Sequence, residues 1–382
     1  MEYFRYGRPV TGKYFVNREK ELKKIRSILS EIPKGGGNNI ALIGLRRTGK
    51  TSLLKNLKLD FEGVIPVFID CYGMPSKALL SRQLIDMALK AYVEKTGDKA
   101  YRRKIEKMIK QKASDILNKI SETELSIVRY ASIRIGFREG KDQQELLDDA
   151  LNYIENLAKE KGVYFVLMVD EFADIAIRWG VEWVKRLRTI TQHQEKVFYI
   201  LSSSAVTYMT ELVYSKDSAF YRQLTPIKLG AFTEDVVREY VNKRLRIEEE
   251  ALNGYTRLTG CFPDYIQRLG HIIMHTHGRK NVTLGDVKKC YEEMLWNLDS
   301  EFRQTLGRLN EKSARYGEII IAVTNNNRPS AIAKSMGMNL SSLPKYLEYL
   351  MSIGIMEKKD GYHLTDPVFE SWIKRNFVTS SV

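Results

Sequence analysis

Residues 40–57 read IALIGLRRTGKTSLLKNL, an apolar run broken by glycine and positive charge. Ile40 to Ile43 form a short apolar run of the kind that fills a buried strand. Gly44 ends the run, four residues follow, and Gly49-Lys50-Thr51 opens a segment with helical spacing of Leu53, Leu54 and Leu57. Gly-x-x-x-x-Gly-Lys-Thr between a strand and a helix satisfies the Walker A pattern in the context that gives it meaning. In such a loop successive backbone N–H groups surround phosphate oxygens, Lys50 reaches the β and γ phosphates, and the Thr51 hydroxyl serves Mg²⁺. Arg46 and Arg47 inside the loop have three open readings: phosphate neutralisation, pairing with carboxylates, or a solvent-facing role.

A phosphate loop of this kind needs an acidic partner at the end of a neighbouring strand. YFVLMVDEF, residues 164–172, supplies Asp170 and Glu171. Asp170 is placed to hold the metal with Thr51, and Glu171 to orient or activate an attacking water, with helix capping or an arginine pair as the blander use of Glu171. Ser202, Ser203 and Ser204 close another apolar run, and a polar group there, Ser203 at its centre, is expected to probe the γ phosphate. Arg222 in SAFYRQL is a candidate phosphate contact from the same or a neighbouring subunit, against a plain surface arginine.

Outward from these motifs, buried strands alternate with helical segments, which predicts a parallel α/β sheet. Strands are expected at 39–43, 64–70, 164–170, 197–203 and 226–229. Helices are expected from Asn17 as N-cap, from about 50 to 57, over 76–95, over 101–120 with a basic first half, and over 143–161. Residues 124–137 read as a strand excursion or hairpin. Past 230 the pattern turns helical, at 234–245, 248–258, 264–276 and 281–296. Residues 311–378 hold three helical segments and two extended pieces joined at Asp360-Gly361, a hairpin signal. The expected architecture is an α/β P-loop NTPase core with a parallel sheet over 1–230, a helical lid domain over 231–305 and a winged-helix domain over 306–382.

Composition narrows the function class. The chain has 382 residues and a formal charge of +14, enough to attract a polyanion. Neither a leading apolar segment nor a run long enough to cross a bilayer is present, so a cytoplasmic protein without membrane contact is expected. Cys71, Cys261 and Cys290 lack CxxC spacing and read as buried small hydrophobes. His271 and His275 share a helix face, but no cysteine or carboxylate completes a metal set.

Together these pieces resemble the archaeal ATPase family within the STAND class of P-loop NTPases, relatives of the AAA-type initiator ATPases. The resemblance starts at Asn17-Arg18-Glu19-Lys20-Glu21-Leu22, which in the family lies near the base, and continues through Gly44-Leu45-Arg46-Arg47-Thr48-Gly49-Lys50-Thr51-Ser52. Asp170-Glu171-Phe172 matches the Walker B element and Ser202–Ser204 the sensor strand. Thr259-Gly260-Cys261-Phe262-Pro263 is similar to the family's glycine-x-proline region, with two residues where the family has one. The resemblance implies ATP and Mg²⁺ as cofactors, held by Asn17, Arg18, Gly44, Arg47, Thr48, Gly49, Lys50, Thr51, Ser52 and Pro263. It also implies an ATP-hydrolysing switch coupling nucleotide state to domain rearrangement. The alternative is a DNA-binding or protein-interaction module in which nucleotide is structural.

In the terminal module, helices at 329–336 and 341–352 read as a helix-turn-helix. Leu343, Leu347, Leu350 and Met351 face inward, and Lys345, Tyr346 and Tyr349 outward, with Lys358 and Lys359 beside the wing. Lysines without arginine or asparagine on the second helix suit phosphate contact more than base reading. The partners expected are therefore non-specific duplex DNA or a protein client, with nucleotide-dependent self-association a further one.

Overall fold

The computed structural model describes residues 4–101, 103, 142–278 and 280–378. The basic helix expected over 101–120 and the strand excursion or hairpin at 124–137 lie outside the described residues, apart from Tyr101 and Arg103.

Five strands form one parallel sheet in the order β2-β3-β4-β1-β5: β1 Asn39–Ile43, β2 Val64–Asp70, β3 Tyr164–Asp170, β4 Val197–Ser203 and β5 Leu224–Lys228. The fifth starts two residues earlier than its apolar pattern suggests, because Leu224 pairs with Asn39 at the start of β1. Both faces are covered, so side chains alternate between two cores. Ala41, Ile43, Phe165 and Leu167 pack beneath α3 (Lys77–Thr96), α4 (Gln143–Lys161), α5 (Phe172–Trp179), α6 (Val181–Thr191) and α7 (Val206–Tyr214). Ile40, Leu42, Val166 and Met168 pack on the other face with Ile25 and Leu29 of α1 (Glu19–Leu29) and Leu53 and Leu54 of α2 (Lys50–Asn56).

Asn17 is not the cap of α1. Arg18 occupies that position without a side-chain cap bond, and Asn17 sits at φ 54°. The left-handed residue turns the chain so that the Arg18 side chain, rather than an amide, faces the phosphate loop.

Beyond β5 come α8 (Glu234–Asn242), α9 (Glu249–Thr259), α10 (Pro263–His277) and α11 (Leu284–Lys312). The helix expected over 281–296 starts later and runs much further: Thr283 and Asp286 form a reciprocal capping box at its start, and its apolar stripe continues through Leu298, Phe302, Leu306 and Leu309. A border at 305 therefore cuts a continuous helix. On its far side Phe302 meets Phe369 and Trp372 at ring distances of 5.0 and 5.5 Å, so the helical region and the C-terminal region share one core.

The chain ends in α12 (Ala314–Asn325), α13 (Pro329–Ser335), α14 (Pro344–Ser352), an antiparallel hairpin β6 (Met356–Lys358) and β7 (Tyr362–Leu364), and α15 (Pro367–Phe377). Leu343, Leu347 and Leu350 are buried as expected. Tyr346 and Tyr349 are not free surface groups, because both pack on Tyr316, at ring distances of 5.4 and 4.8 Å. One flank of α14 also lies against α7 of the sheet domain. Among the described residues no helix is long and apolar enough to cross a membrane, and the three cysteines are free and buried.

Candidate functional site

The loop between β1 and α2 works through two glycines with different duties. A Cβ on Gly44 would lie 2.3 Å from the Leu229 carbonyl, so only glycine lets β1 pass the chain leaving β5. Gly49 is at φ 91° and caps α2, aiming the helix N-terminus into the loop. Between them Thr48 is buried and donates its hydroxyl to the Leu45 carbonyl at 2.8 Å, and Lys50 donates to the same carbonyl at 3.1 Å. Burial lowers the Lys50 pKa, opposed by the carboxylates of Glu171 and Asp170. Phosphate oxygens would add to the same opposing charge.

Asp170 ends β3 directly below. Thr51 donates to its Oδ2 at 2.5 Å and Ser202 to its Oδ1 at 2.8 Å. Burial raises its pKa, with the Thr51 bond acting against that shift. A hydroxyl and a carboxylate oxygen in contact at the mouth of a phosphate loop fit a hard, oxygen-seeking ion that keeps much of its water. Thr51 and Asp170 would hold Mg²⁺, and the ion would neutralise charge on the β and γ phosphates.

Glu171 follows at φ 50°, a left-handed turn that costs a non-glycine residue about 1–2 kcal/mol. It swings the side chain off the strand axis and onto Ser204, whose N–H and Oγ donate to the same Glu171 oxygen at 3.1 and 2.9 Å. The serine run is therefore divided among three partners. Ser202 binds Asp170, Ser204 binds Glu171, and Ser203, the one expected to face phosphate, accepts from the Ala205 N–H at 3.2 Å. The pleat is the reason: adjacent residues at a strand end point to opposite faces.

These groups open into a cavity of about 520 Å³, lined by the loop 45–52, by Asp170 and Glu171, by the N-terminal arm, by Phe262–Asp264 and by Gly354, Ile355 and Asp366. That size is usual for a small-molecule site. Pro263 lies on its wall at the first turn of α10. Arg18 also lines it, donating to the Thr48 carbonyl at 3.0 Å and the Gly230 carbonyl at 2.6 Å, and it ion-pairs with Glu21 at 3.1 Å. Ser52 accepts from the Val10 N–H at 3.1 Å, tying the arm to α2. Asn17 does not line the cavity, nor does Arg222, which sits at φ 56° with its guanidinium 5.0 Å from the Tyr221 ring centre.

Arg47 resolves one of the three readings left open by its charge. Its guanidinium meets Asp366 at 3.1 Å, Glu301 at 2.5 Å and Asp264 at 3.7 Å, and it lies over the Tyr265 ring at 4.6 Å. The loop arginine thus pairs with carboxylates from α10, α11 and the cap of α15. Arg46 is exposed at the cavity mouth. Asp366 accepts from the Val368 and Phe369 N–H groups at 3.0 Å each as the α15 cap, and from the Tyr265 hydroxyl at 2.5 Å. Burial raises its pKa and Arg47 opposes the rise.

Sequence reasoning missed several members of this site. The arm runs from Phe4, buried beneath Gly270, past Arg5, whose N–H donates to Gln267 at 2.8 Å, to Val10 on α2. Arg268 lines the cavity and pairs with Asp264 at 2.6 Å. Nothing local marks Glu301 or Asp366, whose importance comes from what faces them. The lysines expected to meet DNA, Lys345, Lys358 and Lys359, are all exposed, and Lys359 is also paired with Glu357 at 2.6 Å.

A family described as an ATPase domain predominantly from Archaea matches residues 15–269. No curated protein matches the chain. Among solved structures, a Walker-type ATPase of Pyrococcus abyssi is similar at 19% identity and a TM-score of 0.67, over 96% of this chain and 99% of that one. The ADP form of the ORC2 protein of Aeropyrum pernix is similar at 13% identity and a TM-score of 0.50, over 95% and 97%. At these identities the likeness is one of fold.

Proposed function

The chain belongs to the family of ATPase domains found predominantly in Archaea, and from that membership we propose that it is a switch in which ATP hydrolysis moves a helical body against the α/β core. One observation carries the reading. The wall of the nucleotide-sized cavity is shared between the phosphate loop and the segment 354–369, with Arg47 bridging the two. A change of charge at the loop therefore acts directly on the contact that holds the C-terminal region.

In this reading Lys50 and the loop N–H groups bind the phosphates, Thr51 and Asp170 hold Mg²⁺, and Glu171 is the base. Residues 231–305 form the lid and 306–382 a winged helix, and because α11 crosses residue 305 the two move as one unit. The resemblance to STAND-type switches favours such coupling. Duplex DNA, bound without sequence preference through Lys345, Lys358 and Lys359, is the partner that the net charge of +14 favours. A protein client and self-association through Arg222 are the other partners that this charge and this arginine, standing outside the cavity, allow.

The test is distance. Labels at exposed Arg82 on the core and exposed Lys334 on α13 are expected to report a different separation with an ATP analogue than with ADP. One unchanging distance in apo, ADP and analogue states of a protein that binds both nucleotides contradicts the switch.

A further inference from the structure

Segment 353–366 of the C-terminal region touches the reaction site on two sides. At one end Asp366 meets Arg47. At the other, Gly354 sits at φ 75° against the chain between β4 and α7, so close that a Cβ there would lie 2.5 Å from the Ser204 carbonyl and 3.2 Å from Ala205 Cα. Thr365 ties the two ends together, donating its hydroxyl to the Gly354 carbonyl at 2.7 Å. Ser204 is the residue whose N–H and hydroxyl both hold Glu171.

We propose that Ser204 is a restraining residue for Glu171, kept in place by the docked Gly354 turn, so that the C-terminal region slows hydrolysis until it is displaced. This rests on the reading of Glu171 as the base. A carboxylate oxygen that accepts two hydrogen bonds is stabilised as it stands and must give up both to turn toward a water over the phosphates. Ser204 is buried, so its own position is set by what packs on its backbone. The Gly354 turn is that neighbour.

Ser204→Ala removes the hydroxyl bond and keeps the backbone one. One hydrogen bond to a charged acceptor corresponds to about tenfold in an equilibrium, so kcat is expected to rise about three- to tenfold. KM and the affinity for an ATP analogue stay as they are, because the Ser204 side chain bonds to Glu171 rather than to the loop or Asp170. Ser204→Thr, which keeps the hydroxyl, restores the wild-type rate. Gly354→Ala, which forces the turn off Ser204, also raises kcat, and in combination with Ser204→Ala gives less than the product of the two effects. Steady-state phosphate release at saturating ATP, with analogue binding measured in parallel on the full chain, reads all of these. Lower or unchanged kcat in Ser204→Ala with binding intact overturns the restraint, and fully multiplicative effects overturn the role of Gly354. Glu171→Gln turning over at the wild-type rate sinks the assignment of the base and the restraint together. Loss of turnover in Glu171→Gln beside an unchanged Ser204→Ala sinks the restraint alone.

Discussion

Arg47→Ala is the sharpest perturbation of the contact between loop and helical body. The side chain retains 13% exposure and faces Glu301 at 52%, Asp366 at 22% and Asp264 at 24%. The half-exposed Glu301 pair is worth at most about 0.5–1 kcal/mol in spite of its 2.5 Å distance. Asp264 already has Arg268 at 2.6 Å and adds little. The 3.1 Å bond to the more sheltered Asp366 contributes about 1.5–3 kcal/mol, and the Tyr265 ring about 0.5–1 kcal/mol. Allowing for overlap, the variant is expected to lose about 2–4 kcal/mol of docking free energy, roughly 30- to 1000-fold in the closed-to-open equilibrium.

The loss has a pH signature. Burial places the folded-state pKa of Asp366 above its unfolded value, so the stability attributable to this group falls as pH rises from the unfolded value through the folded one. Arg47 opposes that rise, and removing it carries the window upward. The deficit of Arg47→Ala is therefore smallest in acid, where Asp366 is protonated in both states, and grows through and above the ordinary carboxylate range. Thermal unfolding of Arg47→Ala beside the exposed control Arg46→Ala, at a series of pH values, measures it. A variant as stable as Arg46→Ala at neutral pH, with the same distance between core and helical body as wild type, would refute the bridge.

Other substitutions separate the remaining parts. Lys50→Ala is expected to weaken ATP-analogue binding by at least about tenfold, since it removes a charge-assisted hydrogen bond to phosphate, and isothermal titration reads it. Gly44→Ala drives a Cβ into the Leu229 carbonyl and is expected to lower stability by about 1–3 kcal/mol and abolish nucleotide binding, seen as a lower melting temperature that nucleotide no longer raises. Lys345, Lys358 and Lys359 to Ala together are expected to weaken duplex-DNA binding alike on unrelated sequences and to flatten its salt dependence, by roughly 0.9 for each phosphate no longer neutralised. Fluorescence anisotropy checks this, and Lys359, paired with Glu357, is expected to matter least.

The elements that can be read from sequence are those whose signal is local. Ile40 to Thr51 declare a strand, a loop and a helix in one run, and YFVLMVDEF carries its strand and carboxylates together, so the sheet and the meeting of Thr51 with Asp170 are legible. The start of strand 224–228 escapes the pattern because Leu224 and Thr225 are held by pairing to β1 rather than by alternation. The choice among Ser202, Ser203 and Ser204 depends on the pleat at the end of β4, which three identical residues do not reveal. Arg47 stays open in the sequence for a deeper reason. Its partners Glu301 and Asp366 lie 254 and 319 positions away, and no periodicity links residues so far apart. A border at 305 misses the length of α11 because a long amphipathic helix shared by two groups of side chains looks, locally, like two shorter helices.

In the proposed reaction this cavity hydrolyses ATP through Glu171 after binding it through the phosphate loop. Phosphate release by Glu171→Gln, measured at saturating ATP beside its equilibrium affinity for an ATP analogue, separates that reaction from binding alone. The geometry predicts affinity within about threefold of wild type, because the substituted amide oxygen would still accept from Ser204 and leave Lys50, Thr51 and Asp170 in place, with turnover reduced by about 10²-fold or more, the usual contribution of a positioned base. Equal turnover in the two proteins, at equal affinity, would contradict it.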